Sequence, residues 1–430
     1  MKYRLGDICT ITKGATGIMK AIPGPYTMIA LGETDKTHIE YQFDTKAVII
    51  PLVSSTGHGH ASMKRVKYCE GKFALGNILC AVIPNDESFV LAKYLHIYLH
   101  WNREELLVSQ MKGMANVSLP MNRIADVMVT VPSIDKQREI IELEKQLVEK
   151  EIEADNLFAD QLTQLENLNQ AILQEAIQGN LVKQNTKDEP ASELLKRIKA
   201  EKTKSGKKEK PLPPIKPEDI PFEIPENWEW CRLGEITDIQ RGSSPRPKGD
   251  PRYFSKSKTN FNWITISDIS NFCENNVLLQ TREFLTAEGS KHSRYVDVNE
   301  FIIAVSGSTT GKCCITGVEG FIYDGLAVAK IIENSFDSRY LLNYMMCLYT
   351  TINNSKTGAS FPNINTDYLN NLIFPLPPIK EQIKINKEIE KQFAKTKQLK
   401  EYIIANQQAT EQLLKALLHQ AFEVEEMETV

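Results

Sequence analysis

Long apolar segments are missing from this sequence of 430 residues. A helix that crosses a membrane needs about 20 consecutive apolar residues, and no run of about 18 is present. The first residues, MKYRLGDICTITKG, also lack the apolar core of a secretory signal. We therefore expect a protein that stays in the cytoplasm.

Motifs of common catalytic and nucleotide-binding sites are missing too. The patterns G-x-G-x-x-G, H-E-x-x-H and G-x-S-x-G do not occur, nor does the N-P-P-[FY] or D-P-P-[FY] tetrapeptide of amino-methyltransferases. Residues 306–312, SGSTTGK, come close to a phosphate-binding loop, but Ser306 replaces its first glycine. Cys313 stands where a magnesium-binding hydroxyl belongs. We interpret this segment as a loop whose hydroxyls and Lys312 can bind a polyanion.

Cysteine and histidine form no recognisable metal or redox site. None of the eight cysteines forms a C-x-x-C pair, and most lie in apolar runs, so we expect free thiols in a reducing compartment. His58 and His60 could hold a metal, but a glycine-rich loop is the more common setting for such a pair. His96 and His100 lie four residues apart on a predicted helix and are interpreted as packing or surface residues. The sequence therefore predicts no catalytic residue and no metal site.

What the sequence does contain is an internal repeat. Six segments of the first half recur in the same order in the second half, and chance similarity does not produce such collinear matches. The pairs are residues 4–8 (RLGDI) with 232–236 (RLGEI), 12–14 (TKG) with 240–242 (QRG), 93–95 (KYL) with 339–341 (RYL), 112–115 (KGMA) with 357–360 (TGAS), 131–137 (VPSIDKQ) with 376–382 (LPPIKEQ), and 171–176 (AILQEA) with 416–421 (ALLHQA). The chain is therefore a tandem duplication.

Each repeat consists of a mixed α/β domain followed by a long helix. Short β-like runs with Gly and Pro breaks predict the domains, whereas apolar residues at steps of three or four predict the helices. We expect the helices to pair as an antiparallel coiled coil, which gives an α+β fold with a pseudo-twofold repeat. The alternative is that each helix packs onto its own domain. The predicted ranges are domain 1 (1–132), helix (133–182), joint (183–227), domain 2 (228–377) and helix (378–425).

The joint is rich in proline and lysine. Its stretch PLPPIKPEDIPFEIPENWEW predicts an extended strap, and a short helical piece is expected around residues 189–195. The run KAEKTKSGKKEK is interpreted as a solvated tether, with transient phosphate contact as the alternative.

Charge is distributed unevenly along the chain. Residues 132–182 carry 4 Lys/Arg against 11 Asp/Glu, which argues against the first long helix lying on nucleic acid. By contrast, residues 241–258 carry 6 Lys/Arg against 1 Asp/Glu and are followed or interleaved by aromatic residues. Because lysine and arginine neutralise phosphates, this segment predicts a DNA-binding loop, with a solvated basic loop as the alternative. The equivalent segment of the first copy, residues 12–20, is much less basic.

The repeated segments resemble the specificity subunit of type I restriction-modification systems. Residues 4–8 and 230–236 are similar to the domain openings of that family, and residues 131–137 and 376–382 to the starts of its helices. Residues 189–195 and 221–228 are similar to its central joint. The resemblance covers essentially the whole chain.

The resemblance implies a non-catalytic subunit with two target recognition domains, each reading half of a split, asymmetric double-stranded DNA sequence. It further implies that the helices space the half-sites, and that two methyltransferase (modification) subunits and restriction subunits dock on the chain. S-adenosylmethionine, ATP and Mg would be bound by those partners. The alternative is a coiled-coil adaptor that links two proteins without DNA.

Recognition domains vary greatly within that family, so candidate DNA contacts come from the physical reading alone. The candidates are Lys13, Thr16, Lys20 and Lys112 in the first domain, and Arg241, Ser243, Ser244, Arg246, Lys248, Arg252, Ser308, Thr309, Lys312 and Lys356 in the second.

Overall fold

The chain is described by a computed structural model. The structure describes residues 1–55, 60–113, 117–204, 211–306, 309–332, 336–354 and 364–423. Two compact units are present: unit 1 contains residues 1–160 and 402–430, and unit 2 contains residues 161–401. Among the helices of the described ranges, none is long and apolar enough to cross a membrane.

The first domain lies in unit 1 and contains two small sheets. Its strands are β1 (Lys2–Arg4), β2 (Cys9–Lys13), β3 (Tyr26–Ile29), β4 (Lys36–His38), β5 (Phe43–Asp44), β6 (Ala47–Pro51), β7 (Lys67–Cys69), β8 (Lys72–Leu75), β9 (Leu79–Pro84) and β10 (Met128–Thr130). Its helices are α1 (Leu5–Ile8), α2 (Ala92–Trp101), α3 (Arg103–Leu106) and α4 (Met121–Ala125). The sheet orders are β2-β9-β6-β7 and β4-β3-β8-β5, and β1 pairs with β10.

In the described ranges, three α-helices lie outside the two domains. They are α5 (Ile134–Ile177), α6 (Ala191–Lys204) in the joint, and α12 (Ile379–Glu423), which follows the second domain. The helices α5 and α12 are the two long helices that the sequence predicts.

The second domain lies in unit 2 and repeats this plan with larger sheets. Its strands are β11 (Glu229–Arg232), β12 (Thr237–Arg241), β13 (Phe254–Ser255), β14 (Asn262–Ile264), β15 (Cys273–Glu274), β16 (Val277–Leu278), β17 (Glu283–Leu285), β18 (Arg294–Val296), β19 (Phe301–Ala304), β20 (Cys313–Thr316), β21 (Gly320–Ile322), β22 (Leu326–Ile331) and β23 (Ile373–Leu376). Its helices are α7 (Leu233–Ile236), α8 (Ile266–Asn271), α9 (Ala287–Ser290), α10 (Ser338–Asn354) and α11 (Thr366–Asn371). The sheet orders are β12-β22-β19-β20-β16-β15 and β13-β17-β14-β21-β18, and β11 pairs with β23.

The two domains share one strand topology. The antiparallel order β2-β9-β6-β7 corresponds to β12-β22-β19-β20, and each second sheet contains one parallel pair, β3 with β8 and β14 with β21. The duplication seen in the sequence is therefore a duplication of topology as well. The predicted fold class, two mixed domains with two long helices, is confirmed.

The repeated glycines lie where the backbone of another segment comes close. A Cβ at Gly6 would lie 2.9 Å from the Cβ of Ala125, and one at Gly234 would lie 2.5 Å from the Asn370 side chain. The next motif shows the same effect, because a Cβ at Gly14 or Gly242 would overlap a carbonyl of the adjacent turn. Only glycine fits such close approaches, which explains why both motifs recur.

Within unit 1, the helix segments of α5 and α12 run antiparallel. Asp155 accepts a hydrogen bond from Gln407 at 3.1 Å. One turn earlier on α5, the Glu151 carboxylate interacts electrostatically with Glu411 and Lys415, which lie one and two turns later on α12. Phe422, near the end of α12, packs against the rings of Tyr94 and Tyr98 in the core of the first domain.

Within unit 2, the same antiparallel pairing holds. Asn169 accepts a hydrogen bond from the buried Thr396 at 2.8 Å. Further along α5, Leu173 joins a core that contains Ile385 and Ile389 of α12 together with Phe374 of the second domain. The helices therefore pair with each other, as predicted. The start of α12 also packs onto its own domain, whereas the end of α5 packs onto the domain of the other copy, so the alternative that each helix packs onto its own domain does not describe α5 as a whole.

One glutamine of each repeated helix start is buried and ties the helix to its domain. The carboxamide oxygen of Gln137 accepts from the backbone N–H of Leu91 at 2.8 Å, and its nitrogen donates to two backbone carbonyls. Gln382 accepts from the N–H of Asp337 at 2.9 Å and donates to the Pro377 carbonyl. Both side chains are fully buried, so the glutamine at the end of each repeated motif fixes the start of the long helix to its domain through buried hydrogen bonds.

The joint differs in part from its predicted form. The helical piece is the 14-residue helix α6, and Leu194, Leu195 and Ile198 are buried against the core of the second domain. The first half of the basic run belongs to α6, where Lys199 pairs with Glu235 at 2.7 Å and Lys202 donates to the Gly234 carbonyl. This part is therefore not a free tether, because its lysines bind the domain surface. Residues 205–210 of the run lie outside the described residues.

Candidate nucleic-acid interface

Three loops of the second domain meet at one end of its larger sheet. Arg241, the last residue of β12, pairs with Ala327 near the start of β22, and Ala304 at the end of β19 pairs with Leu326. The loops that follow β12, precede β22 and connect β19 to β20 therefore leave the sheet side by side. This arrangement collects candidate residues that are separated by more than 60 positions in the sequence.

Two of the candidate arginines are held by the turn before β22. Arg241 Nε donates to the Asp324 carbonyl at 2.8 Å, and Arg246 forms an ion pair with the Asp324 carboxylate at 2.8 Å. Ser244 Oγ accepts from the Asp324 N–H, and the Ser243 carbonyl accepts from Ser293 at 2.7 Å. The Arg246 side chain is 71% exposed, so this surface ion pair contributes little to stability and leaves much of the guanidinium accessible. These residues shape the loop and also expose charge.

The other cations of the loop divide into a paired arginine and three lysines. Arg252 forms an ion pair with Asp250 two residues earlier and lies over the ring of Tyr253. Lys248, Lys256 and Lys258 are exposed, and within the described ranges none of them forms an ion pair. An uncompensated lysine contributes its full charge to a phosphate contact, so these lysines are the strongest phosphate-binding candidates by charge.

Strands β19 and β20 form an antiparallel hairpin, which is not the strand-to-helix setting of a phosphate-binding loop. Gly311 donates to the Ala304 carbonyl, and Lys312 accepts in turn from the Ala304 N–H, so the chain returns directly into β20. Thr309 is half-buried, and the Lys312 ammonium lies 3.3 Å from Ser270 Oγ. Because a strand follows instead of a helix, no helix N-terminus faces the loop. Ser308 and Lys356 lie outside the described residues.

The first domain brings Lys13, Thr16 and Lys112 to the equivalent sheet end. Lys13 ends β2, and Thr16 forms a bridge with Gly76 in the turn before β9. Lys112 pairs with Ser118, which in turn pairs with Val53 in the loop after β6. Lys20 is exposed further along the first loop. Whether any of these residues contacts DNA stays a prediction.

Several residues that hold these loops in place could not be identified from the sequence. In the first domain the Gln42 side chain donates to the Lys13 carbonyl and accepts from the Ala15 N–H. In the second domain Asp324 and Ser293 play the corresponding part. They are single polar residues in distant segments, and no spacing rule links them to the loops they hold. The repeated Gly14 and Gly242 are the only signal for this contact, since each marks the approach of the facing turn.

The cysteines and histidines contribute no reactive site in the described ranges. All eight cysteines are free, as predicted, and burial raises the pKa of Cys9 and of Cys80 to about 12. Burial lowers the pKa of His96 and of His100 to about 4, and both rings hydrogen-bond the backbone of Val66. The interpretation of this pair as packing residues is confirmed. No group of His, Cys, Asp or Glu in the described ranges could hold a metal ion, and His58 lies outside them.

Comparison with known proteins identifies the repeated architecture. The family model for the type I restriction modification DNA specificity domain matches residues 1–176 and 225–406. The chain belongs to this family. The two matches cover both copies of the repeat, so each copy is a specificity domain in the sense of the family.

Relatives of this specificity-domain chain agree with that assignment. It is 33% identical over 281 residues to the type I restriction enzyme EcoAI specificity subunit of Escherichia coli, an alignment that covers 60% of this chain and 44% of the relative. The chain thus spans less than half the length of that curated relative.

Two solved structures show the fold. One is a chain from work on complex assembly and conformational transition of the type I R-M system, with a TM-score of 0.64, 18% identity and coverage of 98% and 97%. The other is the HsdS subunit from Thermoanaerobacter tengcongensis, with a TM-score of 0.55, 16% identity and coverage of 98% and 96%.

Proposed function

We propose that this chain is the non-catalytic DNA-recognition subunit of a type I restriction-modification complex. In this role each domain reads one half of a bipartite, asymmetric target through the loops at the end of its larger sheet. The two long helices fix the gap between the half-sites. The proposal rests on family membership and on the loops of both copies.

One observation supports DNA reading more than any other. The two copies agree in strand order, in their close-packed glycines and in their buried glutamines, yet they differ at the loop end of the sheet. In the second domain, the loop after β12 carries the exposed Lys248, and Lys256 and Lys258 follow β13 of the smaller sheet, whereas the first domain has Lys13 and Lys112 at its sheet end and Lys20 further along its first loop. A shared scaffold with divergent basic loops fits a protein that reads two different half-sites.

The chemistry of the complex is assigned to partner subunits. We propose that two methyltransferase subunits and the restriction subunits dock on this chain, and that they bind S-adenosylmethionine, ATP and Mg. The chain's own residues then position DNA and partners. The compartment that fits this role is the cytoplasm.

The test measures DNA binding by the full-length chain, with and without its modification partner. Fluorescence anisotropy gives the affinity at a series of salt concentrations. The combined variant Lys248→Ala, Lys256→Ala and Lys258→Ala should flatten the slope of log K against log salt by about 3, because each lost phosphate contact removes about 0.9. The matched control is Lys330→Ala, in the same domain at the far end of β22, where Lys330 faces Glu300. It should leave the slope unchanged.

The adaptor alternative makes the opposite prediction. If no duplex binds to the chain in any assembly while partners still co-purify, the result supports the adaptor role and contradicts DNA recognition. Methyl transfer by the pure chain would contradict the non-catalytic assignment.

A further inference from the structure

A cavity of about 360 Å³ opens beside Arg246 in the second domain. Pockets for small organic groups usually measure about 300–1,000 Å³, so this one is large enough for a ligand. Its lining changes from rim to floor: Arg246, Lys248 and Glu283 are exposed, whereas Trp263 is only 3% exposed. The cavity is therefore a recess with a charged mouth and an aromatic floor.

The walls of the recess are aromatic as well. The ring centroid of Phe254 lies 5.9 Å from that of Trp263, and the ring of Tyr323 lies 6.3 Å from it, both in edge-to-face geometry. Phe254 and Tyr323 are half-buried, so their remaining faces line the space above the floor. Planar, electron-rich walls of this kind suit a flat aromatic ligand.

Polar groups stand at defined points of the lining. The Thr265 hydroxyl is fixed by Asp268 at 2.7 Å and lies 2.9 Å from Ser267 Oγ. The Glu283 carboxylate has no side-chain hydrogen bond or ion pair within the described ranges, so it is an available acceptor. A carboxylate accepts from an exocyclic amino group, as it does from cytosine N4 in base recognition.

In the described residues of the first domain, the positions equivalent to part of this lining carry different side chains. Ile264 pairs with Ile322 as Ile29 pairs with Leu75, which aligns Trp263, Thr265 and Tyr323 with Met28, Ala30 and Gly76. None of these three is aromatic or carries a hydroxyl.

In the first domain, side chains also occupy the corresponding region. Lys67 binds the Ala30 carbonyl at 2.9 Å and the Asp35 carboxylate at 2.7 Å, next to the end of β3. The recess thus belongs to the divergent part of the duplication.

We propose that the recess receives a nucleobase that has left the stack of the target duplex, and that it prefers a base with an exocyclic amino group. This inference rests on the proposed DNA-reading function. A base inside the stack presents only its edge in a groove, whereas a floor buried among aromatic rings is accessible to an extruded base. Phe254 and Tyr323 then contact the base faces, and Glu283 accepts from the amino group. Arg246 and Lys248 at the mouth lie where the flanking phosphates would pass.

The test compares duplexes of one sequence that differ at a single position, using anisotropy with the full-length chain. One duplex is fully paired, one carries an extrahelical cytosine and one an extrahelical thymine. The cytosine bulge should bind about fivefold or more tighter than the paired duplex, because base–aromatic stacking is gained without the cost of extrusion. The thymine bulge should gain less, since it lacks the amino group.

Two variants and one control make the test specific. Glu283→Gln, at an exposed residue, should abolish the preference for cytosine over thymine. Tyr323→Leu should reduce the advantage of both bulges. The control Lys256→Ala, outside the recess, should weaken all three duplexes by the same factor.

The outcomes separate the two proposals. Equal binding of bulged and paired duplexes, or a cytosine preference that survives Glu283→Gln, overturns the recess as a base site and leaves DNA reading intact. Failure of every duplex to bind, with or without the modification partner, overturns the proposed function and the recess with it. If Tyr323→Leu does not fold, Glu283→Gln decides alone.

Discussion

At the scale of the residue, the two buried glutamines, Gln137 and Gln382, each hold the start of a long helix against its domain. Replacing Gln137 with Leu removes one acceptor and two donor contacts in a site without solvent. The partly buried N–H of Leu91 and the carbonyls of Phe89 and Pro132 then lose this partner, so we expect a loss of about 2–3 kcal/mol in the free energy of unfolding. Urea denaturation followed by circular dichroism measures it.

The control for this prediction is an exposed glutamine of the same helix. Gln146 bonds only Glu142 one turn away, so Gln146→Leu should change stability by less than about 0.5 kcal/mol. Equal effects of the two substitutions would show that Gln137 does not anchor the helix.

The histidine pair of the first domain predicts a pH dependence. Burial lowers the pKa of His96 and of His100 to about 4, below the ordinary value of 6.5. The unfolded chain therefore binds more protons below pH 6.5, and stability is lost as pH falls from about 6.5 toward 4. We expect a loss of about 2 kcal/mol per histidine by pH 5, because that pH lies about 1.5 units below the unfolded pKa and each unit corresponds to about 1.4 kcal/mol. The urea midpoint against pH measures this loss.

A double substitution separates the acid destabilisation caused by these histidines from that caused by protonation of carboxylates. His96→Gln with His100→Asn keeps a donor toward the Val66 carbonyl and an acceptor for the Val66 N–H, but neither side chain can be protonated. The decline between pH 6.5 and 4 should become shallower. His419→Gln, at an exposed histidine, is the control and should leave the decline in place. A double variant with the original slope would contradict the assignment.

Single residues also show where sequence reasoning stops. The Gly and Gln of the repeated motifs could be identified because both copies need them for the same close contact. The role of Arg246 could not be derived, because its partner Asp324 lies 78 positions away on another loop. Ion pairs of this kind depend on which loops the topology brings together. The composition of the loop predicts its charge, but not which cations are already paired.

At the scale of the element, the long helices were the most predictable feature. A start after proline, the absence of glycine and proline, and apolar residues every three or four positions predict α5 and α12 within a few residues of their observed bounds. The sequence did not predict which domain core the ends of these helices pack against. Leu173, near the end of α5, belongs to the same buried core as Phe374 of the second domain, and no local sequence pattern encodes that position.

The same limit applies to the joint. Prolines predicted its strap, but the buried face of α6 depends on the domain surface that receives it. Arg232, in the opening motif, donates to the Pro213 carbonyl at 2.6 Å, whereas its counterpart Arg4 pairs with the exposed Asp126. One motif position thus has two roles, and only tertiary structure distinguishes them.

The helix ends give a stability prediction at this scale. Leu173→Ala removes a side chain that is 1% exposed, so we expect a cost of about 2–5 kcal/mol from lost burial and a residual cavity. Leu168→Ala, five residues earlier on the same helix and 46% exposed, should cost less than about 1 kcal/mol. Guanidinium denaturation compares the two variants. Similar costs would mean that the end of α5 is not part of the domain core.

At the scale of the whole molecule, duplication separates what is constant from what varies. Strand order, helix starts and the close-packed glycines are shared, because each serves packing that both copies need. The loops at the sheet ends and the aromatic recess are not shared, because neither supports the fold. Selection on a target sequence can therefore change the loops without changing the framework.

The proposed spacer role of the helices gives the last prediction. Seven residues with the same heptad pattern, inserted after Asp160 and again after Glu401, extend both helices by about 10 Å, at about 1.5 Å per residue. At about 3.4 Å per base pair, the gap between the methylated half-sites should grow by about three base pairs. The half-site sequences should stay the same, because the insertions leave the sheet-end loops untouched. Mapping of methylated adenines in cells that carry the variant and its partner subunits measures both. The control places the same seven residues in the joint after position 206, where the gap should not change. A constant gap in the helix variant, or altered half-sites, would refute the helices as the spacer.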